Sequence, residues 1–168
     1  MKKVKIYWDL DGTLAKWKSA TMDDLYKKDY FLTLDAENGL CRVANEVGKR
    51  EDIDSYILTS YLSDSRYAKD EKMEWTVRNV GNLSDAVIFV PYGSEKAAFV
   101  EKLKHGKLNK SDVLIDDHSP NLIAWEKAGG TAVKWCNGIN NTRKSLFSGL
   151  RIDKAAKLLD FIDRIVFA

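Results

Sequence analysis

The chain has 168 residues, 45% of them hydrophobic, and a formal charge of +2 from 27 Lys and Arg against 25 Asp and Glu. That length suits one domain around one core, with room for a short insertion but not for a second full domain. The near balance of charge argues against a global basic field for nucleic-acid binding, and no apolar run is long enough to cross a bilayer. The first six residues, Met1 to Ile6, carry lysines but no apolar stretch of signal-peptide length before Asp9 and Asp11. Cys41 and Cys136 are far apart and in no metal-binding spacing, so both read as buried or half-buried thiols of a reduced, cytoplasmic protein.

In chain order, Val4-Lys5-Ile6-Tyr7-Trp8 is β-branched and aromatic and stops at a turn around Gly12, which predicts a strand and a loop. Residues 36–49 carry Leu40, Val43, Ala44 and Val47 at helical spacing, closed by Gly48. Residues 55–59 form a second strand. Residues 70–80 read as a helix facing inward through Met73, Trp75, Val77 and Val80, with Gly81 at its end. Residues 86–90 are a third strand, stopped by Pro91. A helix follows over 96–104, with Ala97, Val100 and Leu103 on one face. Val113-Leu114-Ile115 is a fourth strand running into Asp116 and Asp117. Residues 119–128 are helical behind Ser119 and Pro120, read as N-cap and first turn. Residues 131–135 are a fifth strand, and 153–166 a closing helix that turns Ala156, Leu159, Phe161 or Ile162, and Ile165 or Val166 inward. Strands separated by helices imply parallel pairing with right-handed crossovers. The expected fold is therefore a three-layer α/β/α sandwich with a mainly parallel, five-stranded Rossmann-like sheet, forming a single domain over 1–168. Two stretches stand outside this pattern: an insertion at about 15–33, and an Asn- and Ser-rich segment at 137–149 containing Arg143 and Lys144.

The chemistry-bearing residues sit just past strand ends. Asp9 and Asp11 follow the first strand, Thr59 and Ser60 the second, Lys96 the third, and Asp116 and Asp117 the fourth. An open parallel sheet gathers such residues at one edge, where ligands bind. Several carboxylates at one point repel each other unless a cation lies among them, and an all-oxygen set with few dedicated ligands suits Mg2+. A lysine and hydroxyls beside it suit phosphate oxygens. A carboxylate can then accept a phosphoryl group, which splits hydrolysis into two steps.

Asp9-Leu10-Asp11-Gly12-Thr13-Leu14 resembles the first motif of the haloacid dehalogenase-like phosphatases. Leu58-Thr59-Ser60 resembles the second motif, Lys96 the third, and Leu114-Ile115-Asp116-Asp117 the fourth, in order along the whole chain. Within that superfamily, the Thr59-Ser60 pair, the Glu71-Lys72 then Trp75 stretch and the doubled aspartates are similar to the 5'(3')-deoxyribonucleotidase group. The resemblance implies that Asp9 is the nucleophile and a metal ligand. Asp11 would be the acid and base, with its carbonyl on the metal. Thr59, Ser60 and Lys96 would bind phosphate. Asp117 would be the direct metal ligand, with Asp116 acting directly or through water. The insertion at 15–33 lies where that family carries its cap, and it is very short.

The resulting expectation is a magnesium-dependent phosphomonoester hydrolase working through an aspartyl phosphate, a 5'-nucleotidase on (deoxy)nucleoside monophosphates. The insertion offers Trp17, Tyr26, Tyr30 and Phe31 as rings to stack on a base, and His118 is a candidate substrate contact. The short cap leaves open a second reading, a phosphatase for a larger substrate such as a nucleic-acid end or a phosphoprotein; balanced charge argues mildly against nucleic acid. A binding module without activity would need a broken motif, and none is broken. The oligomeric state is not legible in the sequence.

Overall fold

Six short apolar strands pair side by side in the order β3-β2-β1-β4-β5-β6, all parallel, in a computed structural model that describes residues 3–18, 20–139 and 147–167. They are β1 (Val4–Trp8), β2 (Ile53–Tyr61), β3 (Val87–Pro91), β4 (Asp112–Asp116), β5 (Thr131–Trp135) and β6 (Leu150–Ile152). The helices are α1 (Met22–Leu25), α2 (Asn38–Val47), α3 (Ala68–Asn79), α4 (Lys96–Leu103), α5 (Ser119–Lys127) and α6 (Ala155–Val166). This is the expected three-layer, Rossmann-like α/β sandwich, with one strand more than expected. β6 escapes a pattern search because its three residues, Leu-Arg-Ile, are too few to show a period within a polar stretch.

Both faces of the sheet are covered, which is why the strands read as continuous apolar runs. Ile6, Trp8, Ile57, Ile115 and Val133 meet α2, α3 and α6 on one face. Tyr7, Leu58, Leu114 and Ala132 meet α4 and α5 on the other. Trp8, Trp75, Trp125 and Trp135 are all core, and Leu40, Val43, Ala44 and Val47 form the buried face of α2. Cys41 is buried and Cys136 half-buried, and neither is in a disulfide.

Three helical faces differ from expectation. In α3, Val77 is 54% exposed, and the buried face instead carries Ala68, Glu71, Lys72, Trp75 and Thr76. Two charged side chains therefore lie where a pattern of apolar residues would place none. Leu103, in the last turn of α4, is exposed, and α6 turns Leu158 and Ile162 inward while Ala156 faces solvent. His118, not Ser119, occupies the N-cap position of α5.

The insertion springs from a narrow stem. Ala15 bridges Ala36, and Lys16 N–H donates to the Asp35 carbonyl at 2.8 Å. Beyond the stem it holds only the four-residue α1 and a 3-10 turn over Phe31–Thr33. Among the described residues, no helix is long and apolar enough to cross a membrane.

Candidate active site

The sheet register decides which side chains meet. Trp8 lies opposite Ile57 on one side and Ile115 on the other, so the chain segments after β1 and β4 leave the same edge together. The chain steps outward from β1 to β3 and then, from β4, outward the other way. The crevice between β1 and β4 is thus the topological switch point where ligands of such sheets bind.

Asp9, Asp116 and Asp117 meet there, with one carboxylate oxygen from each lying within 4.8 Å of the others. All three are buried. Lys96, at the first turn of α4 and 2% exposed, extends its ammonium between them and donates to Asp9 Oδ1 at 2.5 Å and Asp116 Oδ2 at 2.8 Å. Thr13 Oγ1 donates to Asp9 Oδ2 at 3.1 Å. Burial raises the Asp9 pKa well above the usual carboxylate range, and the neighbouring Asp116 charge adds to it; Lys96 offsets only part. Burial also disfavours charged Lys96, but Asp116 and Asp9 outweigh that and hold its pKa above the ordinary lysine value.

Asp116 has both oxygens committed to protein donors. Oδ1 accepts from the His118 N–H at 2.7 Å, and Oδ2 from Lys96 and from Asn121 Nδ2 at 2.9 Å. Asp117 packs against Gly12, where an added Cβ would come within 2.5 Å of its carboxylate, and φ of +88° also favours glycine there. Asn137 Nδ2 donates both to Asp117 Oδ2 at 2.8 Å and to the Gly12 carbonyl at 2.9 Å, joining the two loops.

Asp11 stands beside this cluster, and its carboxylate is not part of it. Lys72 of α3 forms an ion pair with Asp11 Oδ2 and donates to the Ser60 carbonyl at 2.6 Å, with Thr59 Oγ1 at 3.4 Å. Asp11 Oδ1 is buried and, among the described residues, has no hydrogen-bond partner. Thr59 is fully buried with its hydroxyl on the Ser60 carbonyl, whereas Ser60 lines the crevice.

The crevice encloses about 400 Å³ and is bordered by Asp9, Asp11, Ser60, Lys96, Asp116, Asp117, Trp17, Tyr92 and His118. It adjoins a second cavity of about 370 Å³, with Asp11, Trp17, Ser60 and Tyr92 shared between them. The second cavity is walled mostly by apolar groups, namely Ala20, Met22, Leu25, Phe31, Tyr61 and Leu62, with Lys72 at its base. Of the ring candidates in the insertion, Trp17 and Phe31 reach these cavities. Tyr30 is buried beside Phe31, and Tyr26 is tied to Asp64 by its hydroxyl at 2.9 Å. Arg143 and Lys144 lie outside the described residues.

Three polar contributors have no role assigned from the sequence. Lys72 falls in the Glu71-Lys72 then Trp75 stretch that carries part of the family resemblance, but nothing in its run of charged residues points to a contact with Asp11. Lys134 offers a local signal, as a charge inside the apolar strand β5. It is fully buried, and donates to the Asp117 carbonyl at 2.7 Å and Ser119 Oγ at 2.9 Å. Burial lowers its pKa. Asn137 falls in the polar segment after β5, where asparagines are ordinary.

No family model matches the chain, and no curated protein matches it. Solved structures do. D,D-heptose 1,7-bisphosphate phosphatase from B. bronchiseptica, complexed with magnesium and phosphate, matches with a TM-score of 0.70 at 15% identity, covering 96% of this chain and 99% of that one. A phospho-aspartyl intermediate analogue of phosphoserine phosphatase matches with a TM-score of 0.60 at 14% identity, over 96% and 99%. A 2-haloacid dehalogenase from Pseudomonas syringae pv. Tomato DC3000 matches with a TM-score of 0.61 at 12% identity, over 98% and 100%. At these identities the likeness is one of fold, and phosphatases and a dehalogenase share it. The chemistry must be read from the residues at the strand ends.

Proposed function

We propose that the chain is a magnesium-dependent phosphomonoester hydrolase in which Asp9 is the nucleophile. The observation that carries this reading is the buried Asp9–Asp116–Asp117 cluster, bridged by Lys96 and opening on a crevice beside Asp11. The fold-level likeness to two phosphatases supports it.

The donor set fits Mg2+: oxygen atoms only, carboxylates whose burial and mutual repulsion raise the Asp9 pKa, and a glycine that lets Asp117 approach. Asp9, Asp117 and the Asp11 carbonyl would hold the ion. The close approach of Gly12 to the Asp117 carboxylate supports Asp117 as the direct ligand, while Asp116, which accepts from Lys96, His118 and Asn121, orients Lys96. When bound, the cation would neutralise carboxylates and an incoming phosphate together.

The chain's own groups then divide the work. Lys96 and Ser60 hold phosphate oxygens, while Thr59 backs Lys72 from beneath. A carboxylate oxygen of Asp9 attacks phosphorus as the P–O bond to the alcohol breaks, and the departing oxygen takes a proton from Asp11. Water then attacks the acyl phosphate on Asp9 and gives its proton to Asp11. Free phosphate leaves and both carboxyl groups are restored. Asp11 borders the crevice and its carboxyl is held there by the Lys72 ion pair, which places it to carry that proton.

The alcohol side of the ester is taken up by the second cavity. Its size falls within the roughly 300–1,000 Å³ range of small-molecule sites, and its aromatic walls suit a planar base, which favours a (deoxy)nucleoside monophosphate. Exposed Tyr92, Met22 and Ile139 around the mouth favour a larger phosphorylated substrate as the second reading. Phosphate release from nucleotides, sugar phosphates and phosphorylated polymers, with and without magnesium, tests both. Nucleoside monophosphates are expected to be cleaved with weak base preference, and chelation to stop all turnover. Stacking contributes about 1–3 kcal/mol per base, so Trp17→Ala should raise KM for nucleotides roughly 5- to 150-fold and leave small activated esters nearly unchanged. Equal changes on both classes would make Trp17 structural. Cleavage of polymers alone would remove the nucleotidase reading.

A further inference from the structure

We propose that Glu71 is a positioning residue that ties the acid–base function of Asp11 to the seating of the cap, an inference that rests on the phosphatase reading above. Glu71 is 5% exposed, and a buried carboxylate is costly unless its oxygens are satisfied. Both are satisfied by the cap: Oε1 accepts from the Asp29 N–H at 2.5 Å and Oε2 from the Phe31 N–H at 3.1 Å. Among the described residues these are its only side-chain hydrogen bonds. Asp29 lies at φ +64°, in the left-handed region that aspartate enters more readily than most side chains, which gives the turn its tight shape.

The turn fixed in this way presents Phe31. Its ring centroid lies 4.5 Å from Lys72 Nζ, a cation–π contact with the residue next to Glu71 on α3. Lys72 spends its donors on Asp11, the Ser60 carbonyl and Thr59, so its position and that of the Asp11 carboxylate are set together. The sequence of contacts is therefore Glu71, cap turn, Phe31, Lys72, Asp11. Phe31 also walls the cavity for the alcohol group, so the same turn that receives that group steadies the residue that protonates it. Trp75 Nε1 independently donates to the Leu34 carbonyl at 2.8 Å, and the stem is closed at Ala15 and Ala36. Losing Glu71 should loosen the turn without releasing the cap.

The test compares an alkyl phosphate with an activated aryl phosphate, whose leaving group needs little protonation. Glu71→Gln puts a donor against a donor at one of the two cap amides. Its kcat on the alkyl ester is expected to fall about tenfold, and on the aryl ester less than about twofold. Inhibition by inorganic phosphate, which does not depend on Asp11 as an acid, should hold within about twofold. Phe31→Leu keeps apolar bulk but removes the ring face from Lys72, and should shift the same ratio in the same direction; it decides the matter if Glu71→Gln does not fold. Equal losses on the two esters, or no loss in either variant, would overturn the role of Glu71. A wild-type protein that cleaves neither ester would overturn the phosphatase reading, and this inference with it.

Discussion

Asp9→Asn is expected to lower turnover by at least about 10³-fold on every phosphate ester, because an amide cannot form the acyl phosphate and no other carboxylate is placed to replace it. The change is nearly isosteric at a site 7% exposed, and the remaining carbonyl oxygen can still accept from Lys96. The loss should therefore be chemical and not one of folding. Stability supplies the control. Asp9 has a folded-state pKa raised by burial and by Asp116, so in metal-free protein its contribution is fully present below the ordinary carboxylate range. That contribution is lost as pH rises through the folded value. The Asn variant has no charge to bury and should melt no lower than wild type in chelator. A variant that keeps more than about a tenth of wild-type turnover would remove Asp9 as the nucleophile.

Asp11→Asn should slow alkyl esters by roughly 10²–10⁴-fold. The amide oxygen can keep the Lys72 contact, so the side chain stays in place and only the transferable proton is lost. Single-turnover rates on an activated aryl phosphate should fall much less, since that leaving group departs without protonation. The second step still needs a base, so steady-state turnover should suffer on both substrates. Equal single-turnover losses on alkyl and aryl esters would make Asp11 a structural or metal-holding residue.

The contrast between Asp9 and Lys72 explains what the sequence could and could not reveal. Asp9, Asp11, Lys96, Asp116 and Asp117 each follow a recognisable strand, and parallel topology brings strand ends to one edge whatever the loop lengths. The register of β1 against β2 and β4 then brings Asp9 beside Asp116. Lys72 and Glu71 lie within a helix whose buried face is charged, and apolar periodicity is blind to such a face. Met73 and Val77 therefore read as inward beside Trp75 and Val80, whereas it is Glu71 and Lys72 that join Trp75 on the buried face. β6, three residues long, is too short to show a period. Thr59 and Ser60 are adjacent in sequence, but strand alternation points them to opposite faces, so only Ser60 lines the crevice while Thr59 is buried behind it. The partners of Asp117 differ: Lys134 is visible in the sequence as a charge inside β5, but its contact with the Asp117 carbonyl, like that of Asn137 with the carboxylate, depends on three-dimensional placement.

The most direct measurement traps the covalent step. Asp11→Asn protein, in excess over an activated aryl phosphate and supplied with magnesium, should form the acyl phosphate and hydrolyse it slowly. Acid quenching, borohydride reduction and peptide mass mapping should then find the carboxyl at position 9, and no other, reduced to an alcohol. The modification should be absent in chelator and absent when Asp9→Asn is added to the same protein. Release of the aryl alcohol in the first turnover without any modification at position 9, or with the phosphoryl group on a different side chain, would contradict nucleophilic catalysis by Asp9.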